Sequence, residues 1–166
     1  MEKEVGQQKI VFSTEFTVPI DDTSGEPDPA IDPLNNRFRI ALVDEDEVAA
    51  PTLWSGSVEG GAYDKATKTG WKVNKAGTTW TFKGRDREDG IIKVVVKTLY
   101  RKEPGLVKVK VVAKNAAVAG VDGPVQGEIS LHPAGFCDRC AQTAFSVPPA
   151  AEFCVANGAG TGLICR

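Results

Sequence analysis

The 166-residue chain contains few of the side chains from which catalytic centres are usually built. It has one histidine, His132, and no serine or cysteine stands at triad spacing around it. No glycine-rich segment matches a phosphate-binding or dinucleotide-binding fingerprint, because residues 158–162 are not followed by a helix-forming segment. The sequence therefore predicts a protein that is not an enzyme and that uses no cofactor.

Long apolar runs are also missing, and none approaches the roughly 20 residues that a membrane-spanning helix requires. Residues 1–8 are charged and polar and lack the apolar centre of a signal peptide, so we expect either a cytosolic chain or the mature part of an exported one. In place of helical periodicity, 17 glycines and 10 prolines separate short β-rich runs. This arrangement favours strands and turns over helices.

Residues 91–116 show the clearest pattern, because apolar and basic residues alternate there in two runs, as in strands with one buried face. One face would carry Ile92, Val94, Val96, Thr98, Tyr100, Val107, Val109, Val111 and Ala113, and the other Lys93, Lys97, Arg101, Lys108, Lys110 and Lys114. A turn at Pro104-Gly105 would pair Lys97 with Lys110 or with Val112. Either register places the lysines of both strands on one face of an antiparallel sheet.

Alternating or apolar runs elsewhere in the chain indicate further strands, at residues 10–18, 38–42, 53–54, 71–73, 79–83, 125–131 and 141–147 and in a C-terminal hairpin. We predict an all-β fold, an antiparallel β-sandwich of Ig-like or jelly-roll-like type with about ten strands and little or no helix. It would be a single domain over residues 1–166. A polar N-terminal tail would occupy residues 1–8, and a cysteine-bearing C-terminal hairpin residues 137–166.

Charge is strongly segregated along the chain. Residues 1–60 hold 13 acidic and 4 basic side chains, whereas residues 61–115 hold 5 acidic and 14 basic ones. One explanation is that acidic and basic strands are neighbours in a sheet and pair their charges. Another is that opposite surfaces face outward and match the next subunit or a polyanionic surface, and a third is that lysines protect exposed strand edges. No basic stretch is interleaved with aromatic residues, so nucleic acid is not predicted as a partner.

The four cysteines, Cys137, Cys140, Cys154 and Cys165, lie within the last thirty residues. An even number in a β-rich chain favours disulfides and an oxidising compartment. A hairpin turned at residues 157–162 would place Cys154 nearly opposite Cys165 and leave Cys137 with Cys140, although the other two connectivities stay open. Zinc is the less favoured alternative, since the second cysteine pair lacks the short spacing of a zinc ribbon.

Acidic loops supply a candidate Ca²⁺ site. Its ligands would be Asp21, Asp22, Asp28 and Asp32, joined by Asp44 and Asp46. Calcium prefers several hard oxygen ligands from a flexible loop, but the spacing fits no EF-hand. A solvated acidic loop is the alternative.

Three tryptophans, Trp54, Trp71 and Trp80, offer two alternatives. Exposed rings would form a platform on which sugars stack, whereas buried rings would belong to the core. Trp80 has the same parity as Phe82 in its strand, which favours the core.

About half of the chain resembles a class of proteins. The motifs are Gly70-Trp71-Lys72, then residues 81–86 with the sequence TFKGRD, then residues 105–110 with the sequence GLVKVK, followed by the cysteine-bearing end. They are similar to uncharacterised β-rich segments of large predicted extracellular bacterial proteins. The resemblance implies export and a β-sandwich, and it implies no catalytic residues.

We therefore expect a non-catalytic, secreted or cell-surface β-sandwich protein with a structural or adhesive role. One form is a self-assembling extracellular fibre subunit, in which the N-terminal strand completes a neighbour's sheet. Its partners would be further copies of itself or other surface proteins, with glycans as another class. The alternative function is a carbohydrate-binding module that uses exposed tryptophans.

Overall fold

The computed structural model describes residues 8–27, 31–44, 52–85, 90–118, 125–131, 140–145, 154–156 and 162–165. These residues form eleven strands and no helix. In chain order the strands are Gln8–Thr17 (β1), Phe38–Asp44 (β2), Thr52–Val58 (β3), Gly70–Val73 (β4), Thr79–Lys83 (β5), Ile91–Thr98 (β6), Leu106–Ala116 (β7), Val125–Ser130 (β8), Cys140–Phe145 (β9), Cys154–Ala156 (β10) and Gly162–Cys165 (β11). The predicted all-β class is confirmed for this part of the chain.

The strands form two sheets. The larger has seven strands in the order β10-β11-β1-β7-β6-β5-β4, and the smaller has four in the order β3-β2-β8-β9. Neighbouring strands are antiparallel, except that β1 and β11 run parallel. No helix long and apolar enough to cross a bilayer occurs among the described residues.

The β6–β7 hairpin confirms the predicted sorting of side chains but not the predicted register. Val107, Val109, Val111 and Ala113 are fully buried, and the lysines of both strands are exposed on the opposite face. Lys97 pairs with Lys108, whereas the sequence predicted Lys110 or Val112. The prediction was wrong because the turn is longer: the amide of Leu99 donates a hydrogen bond to the carbonyl of Leu106 at 2.7 Å, so the pairing closes there and residues 100–105 form the turn. The true partner differs by an even number of positions, so both sets of lysines still share one face.

A β-bulge at the start of β6 changes which isoleucine is buried. The register shifts between Ile91 and Lys93, so an extra residue stands on this strand. As a result Ile91 is buried in the core, and Ile92 is only half-buried. Strict alternation from Val94 predicts Ile92 inside, and that prediction was wrong at this one position because the bulge interrupts the period.

The buried faces of both sheets contribute to one hydrophobic cluster. Phe38 of the smaller sheet meets Trp71 of the larger one edge-on, with ring centroids 6.4 Å apart. A side chain at Gly56 would lie 2.8 Å from Cδ1 of Ile91, so the absence of one lets β3 and β6 approach closely. The two sheets therefore share their core at these contacts.

Strand β1, the first described strand, lies inside the larger sheet. It pairs with β7 along its whole length and with β11 at Lys9, Ile10 and Val11. Ile10 and Phe12 are fully buried, as the alternation in residues 10–18 predicted. The loop that follows β1 is held to the β6–β7 turn, because the amide of Val18 donates to the carbonyl of Gly105 at 3.1 Å.

Candidate functional site

The outer face of the larger sheet is covered by lysines. We call it the lysine face, and it consists of the exposed residues Lys9, Lys72, Lys83, Lys93, Lys97, Lys108, Lys110 and Lys114. These lysines come from five adjacent strands, β1, β7, β6, β5 and β4. With strands about 4.8 Å apart and about 3.3 Å per residue along each strand, the face measures roughly 20 Å by 20 Å.

Several lysines of this face stand directly opposite one another on neighbouring strands. The register pairs are Lys9 with Lys114, Lys83 with Lys93, and Lys97 with Lys108. Like charges placed directly opposite across a sheet destabilise it by a few tenths to about 1 kcal/mol for each pair. The arrangement therefore concentrates positive charge at a cost in folding stability.

The sequence left open whether acidic strands neutralise the basic ones, and the strands of this sheet contain one acidic residue, Glu15. Its carboxylate accepts a hydrogen bond of 2.7 Å from Nζ of Lys108, and Nζ of Lys102 lies 4.0 Å away. The hydrogen bond from Lys108 is the main cause that lowers the pKa of Glu15, followed by the charge of Lys108. Pairing within the sheet therefore compensates a small part of the positive charge.

Protection of strand edges does not account for the lysines either. Of the strands that carry them, β4 lies at an edge of the sheet, whereas β1, β5, β6 and β7 are interior. An interior strand is already paired on both sides and exposes no edge that a charge would need to protect. Lys72, on β4, is the member of the lysine face that fits this explanation.

The lysine face has no aromatic platform along its described strands. Between the lysines, the described strands present Val11, Ser13, Thr79, Thr81, Val95 and Val112 at outward register positions. The nearest described aromatic contact is at the margin, where Nζ of Lys72 lies 3.9 Å from the ring centroid of Tyr63. Bases of single-stranded nucleic acid stack on exposed aromatic rings, and the face offers none along its described strands.

The outer face of the smaller sheet is different in character. Its described outward positions include Arg39, Ala41, Ser55, Ser57 and Glu128, and the strands β2, β3, β8 and β9 contain no lysine. At the end of this sheet, Arg37 forms an ion pair with Glu59. The excess of lysine is therefore specific to one of the two sheets.

All three tryptophans are buried, which decides between the two alternatives drawn from the sequence. Trp54, Trp71 and Trp80 are 6%, 1% and 8% exposed. Trp71 also donates a hydrogen bond from Nε1 to the carbonyl of Glu59 at 3.0 Å, and its ring lies 5.5 Å from that of Phe82. They belong to the core, and a platform of exposed tryptophans for sugar stacking is not formed.

Two of the acidic residues proposed for Ca²⁺, Asp21 and Asp32, hold turns, whereas Asp44 ends strand β2. Asp21 accepts hydrogen bonds from the amides of Thr23 and Ser24, and the latter is the main cause that lowers its pKa. Asp32 accepts from the amide of Leu34 at 3.1 Å. Within the described residues, no group of three or more histidine, cysteine or acidic side chains is placed to hold a metal ion. Asp28 and Asp46 lie outside those residues, and Ca²⁺ binding stays a prediction.

The backbone places Cys154 and Cys165 at directly opposite register positions of the β10–β11 hairpin. Cys140 begins β9 in the other sheet, where its register partner is Ser130. Cys137 and His132 lie outside the described part of the chain.

Comparison with known proteins gives no relative: no family model, no curated protein and no solved structure matches this chain. The lysine face, defined by register and exposure, is the candidate functional site.

Proposed function

We propose that this protein is a non-catalytic, secreted or cell-surface β-sandwich whose lysine face adheres to an acidic polysaccharide. One observation carries the proposal: eight exposed lysines share the outer face of a sheet whose strands contain a single carboxylate. Compensation by neighbouring acidic strands and protection of edges both leave most of these lysines unexplained. A surface of one sign of charge attracts polymers of the opposite sign and speeds their association.

The like-charged register pairs support a role in binding. Lys97 opposite Lys108 weakens the sheet in the free protein, whereas a bound polyanion would turn this repulsion into attraction to both residues. A ligand that binds only the folded state also stabilises it by mass action. The unfavourable pairing is thus relieved when the face is occupied.

An acidic polysaccharide suits this face better than nucleic acid does. Sulfate or carboxylate groups repeated along a sugar chain need only an array of cations, which the lysine face provides. Duplex recognition usually relies on a helix or β-ribbon that enters a groove, and single strands are bound through stacking on aromatic rings. The described residues form no helix, and the lysine face presents no aromatic ring for stacking along its described strands.

The proposal is tested with a double variant, Lys97→Ser/Lys110→Ser, which removes two charges from the centre of the lysine face. Its matched control is Lys65→Ser/Lys75→Ser, which removes two charges from exposed turns. Binding to heparin, a sulfated polysaccharide, and to polygalacturonate, a carboxylated one, is measured by titration at two salt concentrations. A lysine near an anionic surface contributes about 1 kcal/mol, so we expect the first variant to bind on the order of 30-fold more weakly.

The control variant should bind like the unmodified protein. An equal loss in both variants would show that net charge, and no particular face, governs binding, and the proposal would fail. Double-stranded DNA serves as a third probe, and tighter binding to DNA than to either polysaccharide would contradict the assignment.

Self-assembly is a second candidate, and the position of β1 favours it. Strand β1 is the first described strand, and it occupies an interior place between β7 and β11. In the proposed assembly this strand leaves that place and is replaced by the same strand of another copy, which is strand addition between subunits. The buried Ile10 and Phe12 would then fill the neighbour's core.

Assembly is tested by size-exclusion chromatography and negative-stain microscopy of the full chain at increasing concentration. Deletion of residues 1–19 should abolish any assembly. A synthetic peptide of residues 8–18 added during refolding of the full chain should shorten the assemblies, because it occupies the place between β7 and β11 that a donated β1 would fill. A full chain that stays monomeric at every concentration would exclude this candidate and leave the adhesive proposal intact.

A further inference from the structure

The hairpin formed by β10 and β11 brings two cysteines into register. Cys154 pairs with Cys165, Val155 with Ile164, and Ala156 with Leu163. Residues directly opposite in an antiparallel pair have Cα atoms about 4.5–5.5 Å apart. Disulfides span Cα separations of about 4.4–6.8 Å. The backbone alone therefore supplies the separation that a disulfide requires.

The third cysteine of the described residues, Cys140, is placed elsewhere in the fold. Cys140 begins β9, which is an edge strand of the smaller sheet, whereas the hairpin belongs to the larger sheet. Four cysteines allow three connectivities. Of these, the pairing of Cys154 with Cys165 and of Cys137 with Cys140 is the one that uses two opposed register positions.

The hairpin is small, and its attachment to the sheet is short. β10 has three residues and β11 has four, and β11 meets β1 at three register positions, Lys9, Ile10 and Val11. Two-stranded hairpins of this kind are marginally stable on their own. A covalent link between the two strands restricts the open states of the hairpin and so favours the paired one.

We propose that Cys154 and Cys165 form a disulfide that closes the β10–β11 hairpin and thereby keeps β11 paired with the start of β1. The inference rests on the proposed function in one respect: a secreted location supplies the oxidant that forms the disulfide. The redox step is a thiol–disulfide exchange: the thiolate of one cysteine attacks a small-molecule or oxidoreductase disulfide, and a mixed disulfide forms. The second cysteine displaces the bound thiol, so two thiols of the oxidant are released and one protein disulfide remains.

The first test maps the bond in the full chain after equilibration with oxidised glutathione. Free thiols are alkylated, and the chain is cut without reduction after Arg139 by trypsin and after Glu128 and Glu152 by a glutamate-specific protease. These cuts separate Cys137, Cys140 and the pair Cys154 and Cys165 onto three peptides. We expect the peptide 153–166 alone, two hydrogens lighter than its reduced form and unmodified by the alkylating agent. A link from this peptide to either of the others, or alkylation of both its cysteines, would overturn the proposal.

The second test asks whether the bond retains β11 against β1. The double variant Cys154→Ser/Cys165→Ser is compared with its matched control, Cys137→Ser/Cys140→Ser, by hydrogen exchange of the amides of residues 9–11 and 162–165. We expect exchange about tenfold faster in the first variant, because local opening of a short paired segment governs the rate. Unchanged exchange in that variant would refute the retaining role. Polysaccharide binding by the lysine face is measured independently, so a failure of one proposal is separable from a failure of the other.

Discussion

Glu15 on β1 and Lys108 on β7 are register partners on neighbouring strands of the larger sheet, and Nζ of Lys108 donates a hydrogen bond of 2.7 Å to Oε1 of Glu15. The contact joins the acidic first part of the chain to its basic middle. It is also the one place on the strands of that sheet where a carboxylate meets the lysine face.

This pair makes stability depend on pH in a defined direction. Because the hydrogen bond and charge of Lys108 lower the pKa of Glu15 in the folded state, the unfolded chain takes up the proton first as the solution is acidified. The contribution of Glu15 is therefore complete above its unfolded pKa and is lost as the pH falls through the folded pKa. We expect Glu15→Gln to have a shallower loss of stability on acidification, measured by urea unfolding at a series of pH values. Lys108→Met should likewise make the free energy of unfolding depend less steeply on pH, whereas Lys110→Met, on the same strand, should not.

Removal of one lysine from a like-charged pair should raise stability. Lys97 stands between Lys108 and Thr79 in the register, and threonine is a favourable strand residue. We expect Lys97→Thr to stabilise the fold by a few tenths to about 1 kcal/mol at low salt, and by less at high salt, because salt screens the repulsion that is removed. Lys75→Thr, in an exposed turn, is the control. Destabilisation of the sheet by Lys97→Thr, seen in urea unfolding, would contradict the repulsion argument.

Trp71 should be the most sensitive of the three tryptophans. It is almost completely buried, its ring packs against Phe38 and Phe82, and its Nε1 donates to the carbonyl of Glu59. Trp71→Phe keeps an aromatic ring but removes this donor, and an unpaired carbonyl in a partly buried place costs about 1–3 kcal/mol. Trp71→Ala should cost more, about 3–5 kcal/mol, because it also opens a cavity. Thermal unfolding followed by circular dichroism measures both, and similar losses in the two variants would show that the cavity adds nothing.

Gly105 and Gly77 form a matched pair for separating backbone strain from steric contact. Their φ angles are +71° and +68°, so alanine would be strained to a similar degree at each. A Cβ at Gly105 would collide with the carbonyl oxygen of Val18 and lie 2.6 Å from Cγ2 of Ile20, whereas Gly77 has open space around it. We expect Gly77→Ala to cost about 1–2 kcal/mol and Gly105→Ala clearly more. Equal shifts in the urea midpoint would contradict the close approach of the Val18 loop to the β6–β7 turn.

Local alternation determined much of the fold. The period of two in residues 10–18 and 107–113 predicted which side chains are buried, because neighbouring residues of a strand must point to opposite faces. The same parity put the lysines of β6 and β7 on one face before their register was known, since every register considered differs by an even number of positions. The exposure of these lysines, the central feature of the candidate site, could thus be predicted from the sequence.

Long-range pairing decided the rest. Nothing local to Lys9 indicates that it stands opposite Lys114, or that Lys72 and Lys83 extend the same face, because strand order depends on contacts between distant parts of the chain. The bulge at Ile91 and the six-residue turn that pairs Lys97 with Lys108 could not be predicted from the sequence for a related reason: irregularities of register are set by hydrogen bonds between strands. The sequence by itself therefore determined which lysines of these strands face water, and only the tertiary structure decided which of them stand together.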